Sequence, residues 1–161
     1  MTKSLKILFA TDFSPSARVA LRNLMLIKDK FNTEISMVYV IVSFWRDWVA
    51  SGTFQKEALQ RLERWQLELG EGGAKQAIVQ HGNPADAILS QASQIKPDLI
   101  VMGAKEAQLK GRYRSGSTVE SVVRKLQILP KIISRFARHR QNTFWAITNH
   151  GPQNNSQYQS D

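Results

Sequence analysis

The sequence contains no cysteine among its 161 residues. This excludes disulfide scaffolds, thiolate metal sites and cysteine nucleophiles, and it favours a reducing compartment, the cytoplasm. Long apolar runs are also missing, since the longest nearly uncharged one, residues 35–44, has about half of the ~20 residues that span a bilayer. Asp12 interrupts the apolar stretch 7–10 before a secretory signal could form. We therefore expect neither a membrane span nor an export signal.

Acidic residues are scarce in the last third of the chain. Residues 1–100 carry 12 Lys and Arg against 10 Asp and Glu, a net charge of +2, whereas residues 101–161 carry 10 against 3, a net charge of +7. The formal charge of +9 is therefore concentrated in one basic loop and a C-terminal segment, instead of marking a whole nucleic-acid-binding domain. The length and the 42% hydrophobic share predict a single globular core.

Apolar runs alternate with amphipathic segments along most of the chain. Ser14 and Asn83 are typical N-caps, because each precedes a proline that can open a helix. The alternation predicts a three-layer α/β fold, an open parallel sheet with helices on both faces. The predicted strands are 5–10, 35–42, 74–80 and 99–102, and the predicted helices are 15–30, 55–69, 85–95 and 117–126.

The carboxyl ends of the predicted strands point to a binding site. Parallel strands end at a common edge, where open α/β sheets bind ligands, so Asp12, Val40 and Gly103 are expected there, with the first and fourth strands side by side. Ser117 and Thr118 follow at the start of a helix, whose N–H groups can bind phosphate oxygens. Charge-assisted contacts are predicted from the loop between residues 103 and 115, through Lys105, Lys110, Arg112 and Arg114.

A plainer interpretation of the same segment stays open. Ser117 and Glu120 match a capping box, which would explain both residues without a ligand and leave the basic loop merely solvated. Residues 111–118 also resemble a Walker A loop, but Ser117 stands where the lysine belongs and the loop does not directly follow its strand. P-loop hydrolysis is therefore rejected.

Catalytic and metal motifs are not found in the sequence. The three histidines have no metal-ligand spacing, and neither a nucleophile elbow nor a pair of catalytic carboxylates is present. Trp45 and Trp48 flank Arg46, and we interpret them as a flap over the sheet edge or a partner contact in preference to base stacking. The sequence predicts binding, and no metal site.

Five stretches of this sequence resemble the universal stress protein family: ILFATDFS at 7–14, VYV at 38–40, HGNPADAI at 81–88, DLIVMG at 98–103 and GS at 116–117. The resemblance covers roughly residues 3–130 and implies a Rossmann-like fold of the adenine nucleotide alpha hydrolase type. The nucleotide-binding branch of the family has Gly, two residues, Gly, nine residues, Gly, then Ser or Thr, and this spacing is kept. The resemblance implies that ATP, with or without magnesium, is bound by Asp12 and Val40 at the adenosine and by Met102, Gly103, Gly116, Ser117 and Thr118 at the ribose and phosphates.

Two positions depart from the family pattern. Glu106 replaces the second glycine, and a carboxylate ~4 Å from a phosphate charge costs about 1 to 4 kcal/mol, up to a thousandfold in affinity, unless neighbouring basic side chains offset it. After Pro130, where the family has an apolar strand that pairs two subunits, the chain continues with Lys131, so the implied homodimer is an open expectation. Residues 128–133 fit an edge strand, whereas 132–140 fit a short basic helix.

These observations predict a two-part chain, a universal stress protein-like domain at 1–130 and a basic segment with a disordered tail at 131–161. The predicted function is a cytoplasmic stress-response protein that binds an adenine nucleotide, hydrolyses ATP slowly at most, and contacts an unidentified protein partner. One alternative is a non-nucleotide-binding interaction module in which Glu106 keeps the pocket closed. The other, ranked last, is a basic arm at 124–140 that binds nucleic acid or acidic partners.

Overall fold

The computed structural model describes residues 4–42, 51–70, 72–103, 107–109, 112–114, 117–128 and 144–148. Strands and helices alternate from the start: β1 (Leu5–Thr11), α1 (Pro15–Lys30), β2 (Thr33–Ile41), α2 (Ser51–Glu68), β3 (Ala74–His81), α3 (Pro84–Ile95) and β4 (Leu99–Gly103). They are followed by β5 (Ala107–Leu109), β6 (Arg112–Arg114), α4 (Ser117–Ile128) and β7 (Phe144–Thr148). All four strands and four helices that the sequence predicts are therefore confirmed.

The main sheet has the strand order β3-β2-β1-β4-β7. β1 pairs in parallel with β2 on one side, where Ile7 lies opposite Ile35, and with β4 on the other, where Ile7 lies opposite Leu99. β3 pairs in parallel with β2. The parallel arrangement and the neighbouring positions of the first and fourth strands are confirmed.

An antiparallel strand completes the sheet. β7 pairs with β4 from Leu99 opposite Thr148 to Gly103 opposite Phe144. The sequence analysis did not predict this strand, and its candidate at 128–133 lies almost wholly outside the described residues, since residue 128 ends α4. An antiparallel edge strand on an otherwise parallel sheet is a common arrangement, so the fold class is unchanged.

The basic segment after β4 contains a hairpin. β5 and β6 pair antiparallel, with Ala107 opposite Arg114 and Leu109 opposite Arg112. The prediction of a continuous loop is therefore wrong for these six residues. Three-residue strands are too short to show an alternating pattern, and the Lys110-Gly111 pair between them is not one of the dipeptides that mark a two-residue hairpin turn.

The sheet has a hydrophobic core on each face. Along β1, Ile7 and Phe9 face α1 and α2, whereas Leu8 and Ala10 face α3 and α4, as the alternation of a strand requires. We call the two sides the α1/α2 face and the α3/α4 face. The helices fill them with residues at helical spacing, which are Ala17, Ala20, Leu21, Leu24, Leu62 and Trp65 on the first and Ala85, Ile88, Val119, Val122 and Leu126 on the second. Leu69, directly after α2, joins the first core. The three-layer arrangement is confirmed.

Both predicted N-caps are confirmed. The Ser14 hydroxyl accepts a hydrogen bond from the Ala17 N–H at 3.2 Å, and the Asn83 side chain accepts one from the Asp86 N–H at 3.2 Å. In the part of the chain that the structure describes, no helix combines the length and the apolarity needed to cross a bilayer.

Candidate functional site

The strand order reverses at β1, between the carboxyl ends of β1 and β4. The crossovers through α1 and α2 carry the chain from β1 to β2 and β3, whereas α3 carries it back across to β4 on the other side of β1. The connections after β1 and β4 therefore diverge, and ligands of open α/β sheets bind at such a point.

The register brings four of the predicted site residues together. The last paired positions are Thr11 with Tyr39 and Ala10 with Met102. Asp12 follows Thr11 and so lies beside Val40, the residue after Tyr39, while Gly103 follows Met102. Asp12, Val40, Met102 and Gly103 thus lie at the ends of three adjacent strands.

Two of these residues, Val40 and Met102, belong to the α3/α4 face. The Met102 side chain is buried in the core of that face, so only its backbone is available at the edge, and Val40 is half-buried against the same core. α4 begins with Ser117 on this face too, because Val119 is buried in the same cluster. Thr118 is half-buried, and Gly116 lies outside the described residues.

Asp12 is exposed and sits in a tight turn. Its Oδ1 accepts a hydrogen bond from the Ser14 N–H at 3.0 Å, while the Thr11 hydroxyl accepts one from the Phe13 N–H at 2.9 Å. Ser14, not Asp12, caps α1. One carboxylate oxygen of Asp12 therefore holds the turn, and the structure records no further bond to this side chain from any residue it describes.

Gly103 is required by the packing of α1. A Cβ atom at this position would lie 2.4 Å from the backbone nitrogen of Ala17 and 2.6 Å from its Cα, so the first turn of the helix touches the end of β4 directly. The sequence analysis placed this glycine at the edge where a ligand is expected, and the family resemblance implies that it lies at the ribose and phosphates. The contact with α1 explains by itself, without a ligand, why this position has no side chain.

An aromatic cluster, which sequence reasoning missed, adjoins Asp12 on the α1/α2 face. The cluster consists of Phe13, Tyr39 and Trp65, with ring centroids 4.8 Å apart for Phe13 and Tyr39 and 5.3 Å apart for Phe13 and Trp65. The Arg61 guanidinium carbon lies 4.6 Å from the centre of the Phe13 ring, and that of Arg18 lies 4.6 Å from the centre of Trp65. The spacing of Trp65 from the apolar positions of α2 predicts its burial, but Phe13 gives no periodic signal.

The start of α4 differs from the predicted capping box. Ser117 is itself the first helical residue, one position inside the N-cap, and the Glu120 carboxylate accepts a hydrogen bond from Arg124 Nη2 at 2.9 Å. Further along, the Lys125 ammonium pairs with Asp86 in the first turn of α3. These contacts lie on the helix surface, and the first N–H groups of α4 have no acceptor within the helix itself.

Several other predicted features fall outside the described residues, namely Trp45, Arg46, Trp48, Lys105, Glu106 and Lys110. Within the described ranges, no group of three or more His, Asp or Glu side chains lies close enough to hold a metal ion. The structure therefore locates the Asp12 turn, the strand ends and the start of α4, and these define the candidate site.

These features define an open α/β domain with a candidate site at its strand-order reversal. The model of the universal stress protein family matches residues 4–128, and the chain therefore belongs to the universal stress protein family. No curated protein matches the chain.

Solved structures agree with this assignment. The hypothetical protein MJ0577 is 30% identical, with a TM-score of 0.60 over 75% of this chain and 89% of that one. The universal stress protein UspA from Lactobacillus plantarum is 21% identical, with a TM-score of 0.61 over 77% of this chain and 93% of that one. A universal stress protein from Archaeoglobus fulgidus is 20% identical, with a TM-score of 0.60 over 76% and 93%. The last two likenesses concern the fold alone.

Proposed function

We propose that the candidate site at the ends of β1 and β4 binds an adenine nucleotide, ATP, and that the bound state of this stress-response protein alters its contacts with a protein partner. One observation carries the proposal: the exposed carboxylate of Asp12 lies beside Val40, at the point of strand-order reversal and next to the face on which α4 begins. An apolar side chain, a hydrogen-bond acceptor and a helix N-terminus are the groups that an adenosine phosphate needs.

The adenosine would lie against Asp12 and Val40. The half-buried Val40 offers an apolar surface to the base, and the second oxygen of Asp12 can accept a hydrogen bond from a hydroxyl or amino group while the first still holds the Ser14 N–H. Ligand binding would therefore keep the hydrogen bond between Asp12 and the Ser14 N–H.

The phosphates would lie against the end of β4 and the start of α4. Gly103, Gly116, Ser117 and Thr118 would line this part of the site, where backbone N–H groups and the helix dipole favour negative charge. Lys105 and the arginines of the β5–β6 hairpin add positive charge, while Glu106 opposes it. Magnesium would accompany the phosphates.

Calorimetric titration with ATP, with and without magnesium, tests the proposal. Asp12→Asn keeps an oxygen for the Ser14 N–H and removes only the charge, so we expect about tenfold weaker binding, which corresponds to about 1.4 kcal/mol. Asp29→Asn removes the same charge from an exposed position in the last turn of α1 and should leave the affinity unchanged. If millimolar ATP produces no binding heat and no shift in the melting temperature, the proposal is overturned.

Glu106 supports the second candidate, a non-nucleotide-binding interaction module of the same fold. If the wild-type chain does not bind ATP but Glu106→Gly does, the carboxylate keeps the pocket closed and this candidate replaces the first. Mass spectrometry under native conditions would report a co-purified nucleotide and the subunit number together. The homodimer and the cytoplasmic location stay predictions from the sequence.

A further inference from the structure

Phe13, the residue directly after Asp12, has an unusual backbone conformation. Its φ angle is 58°, in the left-handed region that bulky side chains seldom adopt. Such a conformation persists only where the surrounding contacts hold it, and it is often found beside functional residues.

The contacts that hold Phe13 come from two other elements. Tyr39 on β2 and Trp65 on α2 lie at ring-centroid distances of 4.8 and 5.3 Å, the latter edge-on, and the Arg61 guanidinium covers the ring at 4.6 Å. Trp65 is only 6% exposed and stacks on Phe9 of β1 with centroids 6.1 Å apart. The ring of Phe13 is therefore fixed to the α1/α2 face.

The backbone transmits this anchoring to Asp12. The Thr11 hydroxyl holds the Phe13 N–H at 2.9 Å, and the Asp12 carboxylate holds the Ser14 N–H at 3.0 Å, so the ring and the carboxylate belong to one four-residue turn. A fixed ring on one face of the sheet thereby fixes the place of the carboxylate at the edge.

We propose that Phe13 is a positioning residue of the nucleotide site: its ring, held by Tyr39, Trp65 and Arg61, fixes the turn that presents Asp12 to the ligand. This inference rests on the proposed function. It makes nucleotide affinity depend on α2, which would act on the ligand only through this turn.

Calorimetry of ATP binding, at a temperature where every variant is folded, tests the proposal. Phe13→Gly adopts the same φ without strain but loses the anchor, and we expect about tenfold weaker binding. Phe13→Leu keeps apolar volume without the ring contacts and should lose about threefold. Phe31→Leu changes a phenylalanine that is 59% exposed, at the end of α1, and serves as the matched control with unchanged affinity. Wild-type affinity in Phe13→Gly would mean that only the backbone conformation matters and would overturn the proposal.

A double-mutant cycle separates positioning from general destabilisation. If Phe13 acts through the charge of Asp12, then Phe13→Gly should cost clearly less affinity in the Asp12→Asn background than in the wild-type chain. Fully additive losses would overturn the proposed route.

Amide hydrogen exchange supplies a measurement that needs no nucleotide. In Phe13→Gly the Ser14 N–H should exchange about tenfold faster, while the Ala87 N–H, which donates to the Asn83 carbonyl at 3.0 Å in α3, should not change. If the wild-type chain does not bind ATP, the proposed function fails, yet this experiment still decides whether Phe13 holds the turn. Unchanged exchange at Ser14 would overturn the inference.

Discussion

The two faces of the sheet are built from different side chains. The α1/α2 face contains the rings of Phe9, Phe13, Tyr39 and Trp65, whereas the described side chains that β1, β2, β4, α3 and α4 bury on the α3/α4 face are aliphatic apart from Met102. Aromatic rings have preferred mutual orientations, so they fix the elements that carry them more tightly than aliphatic side chains of the same area. The comparison teaches that aromatic contacts on the α1/α2 face anchor the turn after β1, and it predicts that this edge of the sheet is held more firmly from that face than from the other.

The ion pairs on the surface of the two faces are alike, so they do not explain the difference between the α1/α2 face and the α3/α4 face. Arg18 pairs with Glu68 between α1 and α2, and Lys125 pairs with Asp86 between α4 and α3. Exposed ion pairs of this kind contribute about 0 to 1 kcal/mol each. The contrast therefore lies in the rings and in the contact of α1 with Gly103.

Removing the ring of Trp65, which touches both Phe9 and Phe13, should have the largest effect on stability. Trp65→Ala deletes a side chain that is 6% exposed and touches Phe9 and Phe13, and we expect the free energy of unfolding to fall by about 4 kcal/mol in urea titrations. Leu126→Ala on the α3/α4 face should cost about 3 kcal/mol but leave hydrogen exchange at Ser14 unchanged, whereas Trp65→Ala should accelerate it. Trp65→Phe, which keeps one ring, is the control with a smaller loss. Equal exchange at Ser14 in the two alanine variants would contradict the contrast between the faces.

The contact of α1 with β4 gives the next largest effect. Gly103→Ala would place a Cβ atom 2.4 Å from the Ala17 nitrogen, and backbone atoms must shift to make room, at about 3 kcal/mol of unfolding free energy. Gly52→Ala makes the same substitution in α2 where nothing lies within 4 Å, and it should be neutral or stabilising by up to about 1 kcal/mol. A Gly103→Ala protein as stable as the wild type would show that α1 can move away from the sheet.

Most of the main sheet could be predicted from the sequence because its signals are local. Apolar runs such as 99–102 have no polar alternation, which indicates strands covered on both faces, and Ser14 and Asn83 mark helix starts through their own backbone hydrogen bonds. The same locality explains why β7 was missed: its pairing with β4 spans more than 40 residues and leaves no periodic pattern in a five-residue segment.

The candidate site was predictable only in part. Parallel strand ends share an edge, so the sequence alone predicts that Asp12 and Val40 lie together. The anchoring of Phe13 could not, because it depends on contacts with Tyr39 and Trp65, which lie 26 and 52 positions further along the chain. The contact of Gly103 with α1 could not be predicted for the same reason, since its partner Ala17 comes from another element.

The two helix caps provide a matched pair of smaller perturbations, one beside the site and one away from it. Ser14→Ala and Asn83→Ala each remove the side-chain acceptor of an N-cap, and each should lower the free energy of unfolding by about 1 kcal/mol. Only Ser14 belongs to the turn that contains Asp12, so Ser14→Ala should also weaken ATP binding, while Asn83→Ala should not. If Ser14→Ala and Asn83→Ala changed ATP affinity equally, the Ser14 cap would not be needed to hold the Asp12 turn.

The smallest expected effect on stability comes from an ion pair between β2 and β3, away from the candidate site. The Lys75 ammonium donates a hydrogen bond to the Glu34 carboxylate and, with its charge and a lesser one from Lys6, holds the pKa of Glu34 below its ordinary value of 4.5. Because the folded-state pKa is the lower one, the contribution of Glu34 to stability is present above the unfolded-state pKa and is lost as the pH falls through the folded-state pKa. The wild-type chain should therefore be slightly more stable than Glu34→Gln at neutral pH, and this difference should vanish below the folded-state pKa in urea titrations at a series of pH values. In a Lys75→Gln background, the pH-dependent part of the stability difference between chains with and without Glu34→Gln should be reduced. ATP affinity should be the same in the wild type, both single variants and the double variant, because the pair joins β2 to β3 away from Asp12. A difference that instead grows on acidification would contradict the assigned direction of the pKa shift.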